Sequence, residues 1–127
     1  LEKLSIFEGE LIARNLSAKY YSINISDNIN KQFVPSNYYS SWAQYSLLAT
    51  SAEQRKFIMS ELSKAEIPSM IYYRIPIHLQ KAFTFLNYQK GDFPISEKIS
   101  ERIFSIPMHP YLSKKDQDKI LAVINDG

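Results

Sequence analysis

Ser41-Trp42-Ala43-Gln44-Tyr45-Ser46-Leu47-Leu48-Ala49 is the stretch on which the fold turns. Read as a strand, its side chains alternate across the pleat: Trp42, Gln44, Ser46 and Leu48 fall on one face, and Ala43, Tyr45, Leu47 and Ala49 on the other. Both faces carry bulk, which predicts a central strand.

On its C-terminal side, Ser51 is a helix N-cap and Gln54 completes a capping box. Phe57, Ile58 and Leu62 make the apolar face of that helix, which runs to about Lys64 and is ended by Ile67-Pro68. Ser69-Met70-Ile71-Tyr72-Tyr73-Arg74-Ile75 is rich in β-formers and reads as a second strand, stopped by Pro76. Leu79 to Asn87 reads as a short helical turn with Phe83 and Leu86 inward, and Gly91-Asp92-Phe93-Pro94 as a turn. Ser96 is read as the cap of a helix through about Arg102, and Ile103 to Met108 as a short strand closed by Pro107 and Pro110. Ser113 caps a last helix with Ile120, Leu121 and Ile124 inward.

On the N-terminal side, Leu4, Phe7, Leu11, Ile12 and Leu16 recur at helical spacing, followed by Ala18 and Tyr21. They predict a helix with one apolar stripe over roughly residues 2–22. Asn24 to Asn37 is polar and turn-rich and reads as a loop. The sum is an α+β fold: helices packed on a small, mainly antiparallel sheet of three strands near 41–49, 69–75 and 103–107.

Length and composition bound the function. A chain of 127 residues with 45% hydrophobic and 22% charged residues is expected to form one domain around one core. Its net charge is only +2, and the basic residues are interspersed with acidic ones, which argues against nucleic acid as a partner. With no cysteine, disulfides and thiolate metal sites are excluded, and a cytoplasmic location fits. Two histidines, His78 and His109, are too few for a His-rich zinc site, and no apolar run approaches a membrane span. Leu1-Glu2-Lys3-Leu4 opens already inside a helical repeat, without an initiator Met, so the chain is expected to be part of a longer protein.

Three ordered stretches resemble the DegT/DnrJ/StrS family of pyridoxal-phosphate (PLP) dependent sugar aminotransferases. They are Trp42-Ala43-Gln44-Tyr45-Ser46, then Ile67 through Gln80, then Gly91-Asp92-Phe93-Pro94 with Ser96-Glu97 and Ser105 through Leu112. Arg14, Ala18 and Tyr21 resemble the helix that opens the family's small domain, and the likeness runs from about Ser5 to Ile124. It implies the C-terminal small domain of a fold-type I aminotransferase, with the large N-terminal domain that carries PLP absent. The whole enzyme, by resemblance a homodimer, would move an amino group from glutamate to a keto nucleotide sugar in surface-polysaccharide or amino-sugar biosynthesis. The Ala-Gln-Tyr-Ser and Gly-Asp-Phe-Pro forms resemble members that act on 3- or 4-keto nucleotide sugars.

The resemblance puts Tyr72 and Tyr73 where the family meets its nucleotide sugar across the dimer, but the family's usual His-Tyr-Pro reads Tyr72-Tyr73-Arg74 here. A tyrosine hydroxyl can donate to a sugar or phosphate oxygen, yet it cannot act as a base near neutral pH. The residues alone allow a second reading, a strand with one tyrosine buried and one exposed. Arg74 suits a diphosphate through its planar fork, or a solvated edge. His78 fits a contact at the substrate entrance, or a histidine that fixes a loop; the second is favoured, and more strongly for His109. Trp42 and Tyr45 read as core, and Lys114 to Lys119 as the solvated face of the last helix. PLP chemistry needs a lysine, a carboxylate and a phosphate cradle. With glycine only at positions 9, 91 and 127, and no lysine in the family's nucleophile motif, no cofactor is expected on this chain by itself. The alternative is a free-standing, non-catalytic binding module of the same fold.

Overall fold

A computed structural model describes residues 2–127; Leu1, the first residue of the opening repeat, lies outside the described residues, as does the side chain of Lys3. The elements run α1 (Glu2–Asn24), β1 (Asn30–Lys31), β2 (Tyr45–Leu48), α2 (Ala52–Lys64), α3 (Pro94–Arg102), β3 (Ile103–Ile106) and α4 (Lys114–Asn125). Between α2 and α3 lie two 3-10 turns, Ile77–Leu79 and Lys81–Leu86.

The sheet has the order β1-β2-β3 with both pairings antiparallel. The small three-stranded α+β layer is therefore borne out, and β2 is its central strand. Tyr45 stands opposite Ile106 and Leu47 opposite Phe104. Tyr45, Leu47 and Ala49 are buried, while the half-buried Ser46 shares a hydroxyl hydrogen bond of 2.9 Å with Ser105 on β3.

β2 begins later than expected because Trp42 has a φ of 47°, in the left-handed region, which ends extended backbone there. Trp42 is pinned to α1 instead. Its indole Nε1 donates to Asn15 Oδ1 (3.2 Å), and Arg14 Nη1 donates to its carbonyl (3.1 Å). Its ring stacks on Tyr45 at 5.2 Å, so both aromatics are core, as expected.

Two strand assignments change. Asn30 and Lys31, read as loop, pair with Leu48 and Leu47 as the edge strand β1. A polar edge of two residues pairs through backbone alone and leaves no alternation to read; the signal is the neighbouring Ile29, which is fully buried. Conversely, Ser69 to Ile75 is not a strand. Only Met70 pairs, exchanging two backbone bonds with Ser105 (3.1 and 2.7 Å), and the chain then turns away through 72–75. Strand preference in Tyr and Ile reflects the fit to a half-buried pleated surface, and past Met70 there is no such surface to meet.

The helices differ in detail. The buried face of α1 is Ser17, Ala18 and Tyr21, continued by Ile25, whereas Leu4, Phe7, Ile12 and Leu16 of the expected stripe are exposed. Periodicity finds a stripe without saying which side meets the core. Ser51 caps α2 by accepting from the Gln54 amide (3.1 Å); Gln54 Oε1 reaches back one residue further than a capping box, to the Thr50 amide (2.8 Å). Ile58 and Leu62 are buried as expected, but Phe57 is exposed at the edge of the α2–α4 contact, beside Val123. The N-cap of α3 is Phe93 with Pro94 as its first residue, so Ser96 lies inside the first turn. Proline at that position presets φ and lacks only an N–H that would go unpaired. Ser113 caps α4 (3.1 Å from the Asp116 amide), and Ile120, Leu121 and Ile124 are buried.

The core gathers Tyr21, Ile29, Tyr45, Leu47, Ile58, Leu62, Phe104 and Ile124, all fully buried. Each large apolar side chain so buried contributes about 1.5–3 kcal/mol before entropy is counted. The two buried phenols are satisfied: Tyr21 donates to the Pro107 carbonyl (3.1 Å), and Tyr45 shares a bond with Ser22 Oγ (2.8 Å). Burial pushes both hydroxyls above their ordinary titration range, so neither ionises under working conditions.

Candidate functional site

Residues 71–93 leave the sheet after Met70 and return at the start of α3, forming an arm without strand or α-helix. None of them is buried. Tyr72 and Tyr73, joined by a cis peptide bond, meet edge to face with ring centroids 5.9 Å apart. Tyr72 is half-buried, and Tyr73 is 69% exposed. Arg74 follows with its side chain in solvent.

Tyr72 borders two clefts. One, of about 200 Å³, lies between the arm (Tyr72, Tyr73, Ile77) and α3 (Ser96, Ile99, Ser100). The other, of about 170 Å³, is bounded by Gln44, Met70, Ser105 and Met108. Tyr72 and Tyr73 therefore bring two phenols to a cleft whose lining also includes Ile75, Ile77 and Ile99, and Arg74 follows them in sequence as an exposed donor. Those donors can meet the oxygens of a sugar or a phosphate, and the isoleucines can cover an apolar face.

His78 stands apart from these donors. Its Nε2 lies 3.0 Å from Glu97 Oε1, with the two side chains only 8% and 13% exposed, and its ring packs on Phe93 at 4.7 Å. The Glu97 carboxylate also accepts from the amides of Gly91 (2.8 and 3.1 Å) and Phe93 (3.4 Å). Those bonds, the Gly91 amide foremost and the His78 ring after it, hold the Glu97 carboxyl below the usual carboxylate range. Gly91 has a φ of 102°, which few side-chain-bearing residues adopt; this turns its amide onto Glu97. Tyr72 and Tyr73 line one cleft, Arg74 is exposed and does not line it, and His78 is tied to α3. His109 is exposed beside Pro110.

Glu97 stands in the sequence only as part of the resemblance, with no role assigned to it. Its signal is an acid in the first turn of a helix just after a Gly-Asp-Phe-Pro turn, where free backbone amides attract a carboxylate. Leu86, expected inward on the arm, is exposed, and Phe83 is half-buried.

Among the described residues no glycine turn offers free amides to a phosphate. Gly9 lies inside α1 and Gly127 packs against Ile58, and the amides of the one glycine turn before a helix are taken by Glu97. Among the described residues no buried side-chain N or O atom is left without a partner for a cofactor to satisfy. Among them, too, no cluster of His, Asp or Glu could hold a metal, and no helix is long and apolar enough to cross a membrane.

A roomier groove lies elsewhere. A groove of about 500 Å³ runs between α1 (Ile12, Leu16) and the segment Val34, Tyr38, Tyr39 and Trp42. Its walls are mostly apolar and offer little to orient a polar substrate.

The α+β layer with its arm is the fold of a domain from sugar aminotransferases. It superposes on the crystal structure of a DegT DnrJ EryC1 StrS aminotransferase from Brucella abortus with a TM-score of 0.89 and 43% identity, over 99% of this chain and 33% of that one. A Streptococcus pneumoniae protein solved in its PLP form matches with a TM-score of 0.88 and 25% identity, over 99% of this chain and 33% of that one. The chain belongs to the DegT/DnrJ/EryC1/StrS aminotransferase family, whose profile matches residues 1–125. Among curated relatives, the UDP-2-acetamido-2-deoxy-3-oxo-D-glucuronate aminotransferase of Pseudomonas aeruginosa is 30% identical across 99% of this chain and 34% of its own length. The dTDP-3-amino-3,6-dideoxy-alpha-D-galactopyranose transaminase of Aneurinibacillus thermoaerophilus is 28% identical, over 97% of this chain and 33% of its own length. The chain thus spans about a third of the length of the curated relatives it matches.

Proposed function

We propose that the chain is the C-terminal small domain of a PLP-dependent aminotransferase that transfers an amino group, from glutamate, to a keto nucleotide sugar. The observation that carries this reading is the match of 99% of this chain to about a third of the Pseudomonas aeruginosa enzyme, whose name places a 3-oxo sugar on a UDP carrier. PLP, which serves as an electron sink for such chemistry, would be held by the part of the protein that the relatives have beyond this third of their length. The whole enzyme is read as a cytoplasmic homodimer, and this chain alone as inert.

In this reading the chain binds and orients. Tyr72 and Tyr73 donate their hydroxyls, and Arg74 its planar fork, to oxygens of the sugar and the diphosphate. Ile75, Ile77 and Ile99 keep water from the covered face of the ligand. His78, paired with Glu97, belongs in this reading to the holding of the arm.

The test is to read the gene upstream of Leu1 and assay its whole product with PLP, glutamate and UDP- or dTDP-linked keto sugars. Formation of an amino sugar supports the reading. A start codon at the beginning of the chain, with no transamination by the product, contradicts it and favours the non-catalytic module.

A further inference from the structure

Among the described residues, the hydrogen bonds that tie residues 71–92 to the rest of the chain all end on one carboxylate. His78 Nε2 reaches Glu97 Oε1 at 3.0 Å, and the Gly91 amide reaches both carboxylate oxygens at 2.8 and 3.1 Å. The remaining hydrogen bonds of the segment are internal: Leu79 to Pro76, Gln80 to Ile77 and Ile75, Phe83 to Gln80, Thr84 to Lys81, Asn87 to Thr84, and the Gln89–Asp92 pair. The contacts on Glu97 are also spaced along the arm. His78 follows directly on the cleft wall formed by Tyr72, Tyr73, Ile75, Pro76 and Ile77, and Gly91 closes the far end. The opposite wall of that cleft is α3 itself (Ser96, Ile99, Ser100), the helix that carries Glu97. One side chain therefore bridges the arm and the helix that forms the opposite wall.

We propose that Glu97 is the positioning residue of the Tyr72–Tyr73 arm: its carboxylate clamps His78 and Gly91 to α3 and fixes where the tyrosine hydroxyls stand. Its bonds are suited to that role. A carboxylate accepting from amides and an imidazole makes charge-assisted bonds, stronger than neutral ones, and the His78–Glu97 pair is largely shielded from solvent. The arm has no buried apolar side chain of its own to replace them. The consequence for the sugar rests on the function proposed above; the clamp itself does not.

Hydrogen exchange on the whole protein tests the clamp directly. In Glu97→Ala, the amides of residues 77–92 should exchange roughly ten- to a hundredfold faster, while those of β2 and β3 keep their protection. Glu97→Gln, which keeps an oxygen acceptor in place, should recover most of the lost protection, and His78→Phe should lose part of it. Unchanged exchange of the arm in Glu97→Ala would overturn the proposal, and so would arm and sheet loosening together, since Glu97 would then support the fold as a whole. In the transaminase assay, Glu97→Ala should raise KM for the keto nucleotide sugar with little change in kcat. A loosened arm with unchanged sugar kinetics would uphold the clamp and overturn instead the assignment of Tyr72 and Tyr73 to the sugar.

Discussion

The sheet core and the arm are built on opposite terms. Around β2 and β3, Tyr45, Leu47 and Phe104 are fully buried, each strand residue has a backbone partner, and α1, α2 and α4 pack on them. In the arm no residue is buried, Tyr73, Ile75, Ile77 and Phe85 stand in solvent, and two 3-10 turns take the place of regular structure. The core is over-determined by many apolar contacts. The arm is held by a few polar bonds while displaying apolar and aromatic surface, the combination found where a surface meets something else. One region makes the chain fold, and the other is what the fold presents.

Substitutions should separate the two. Phe104→Ala removes a fully buried ring between β2 and the helices and should cost about 3–5 kcal/mol, read by denaturant unfolding. If it cost as little as a surface change, the placement of the core would be wrong. Ser51→Ala removes the acceptor for the Gln54 amide at the start of α2 and should cost about 1 kcal/mol, visible as a lower midpoint with unchanged slope. The smallest effect belongs to the arm: Arg74→Ala should change stability by no more than about 0.5 kcal/mol, since that side chain lies in solvent. A loss of several kcal/mol there would erase the distinction between a folding core and a presenting arm.

The same division decides what could be read without coordinates. Alternation in Tyr45–Leu48 and the apolar positions Ile120, Leu121 and Ile124 are imposed by burial, so they show in the pattern, and the Ser51 and Ser113 caps are local chemistry that any helix start requires. The edge strand Asn30–Lys31 was hidden because its pairing is backbone only. Ser69 to Ile75 misleads because tyrosines and isoleucines serving a cleft have the composition of a strand. The far side of α1 misleads in the same way: Ile12 and Leu16 face the open groove, while the core takes Ala18 and Tyr21. At the candidate site, Tyr72, Tyr73 and Arg74 are named by a family resemblance, and of the three the tyrosines line the cleft. Glu97 stands in the same resemblance without a role, because an exposed glutamate and a half-buried one that accepts from three residues are spelled alike.

The central claim is that the arm presents its tyrosines to a nucleotide sugar, and the most direct measurement is steady-state kinetics of the whole enzyme with Tyr72→Phe and Tyr73→Phe. A hydrogen bond from a phenol to a charged phosphate is worth roughly 1.5–3 kcal/mol. Losing it should weaken the apparent affinity for the keto nucleotide sugar by about one to two orders of magnitude in at least one of the two variants. The half-reaction with the amino donor should stay near wild type, because that smaller substrate does not reach the rim of the cleft. Wild-type sugar kinetics in both variants would contradict the claim and leave the two tyrosines as structure alone.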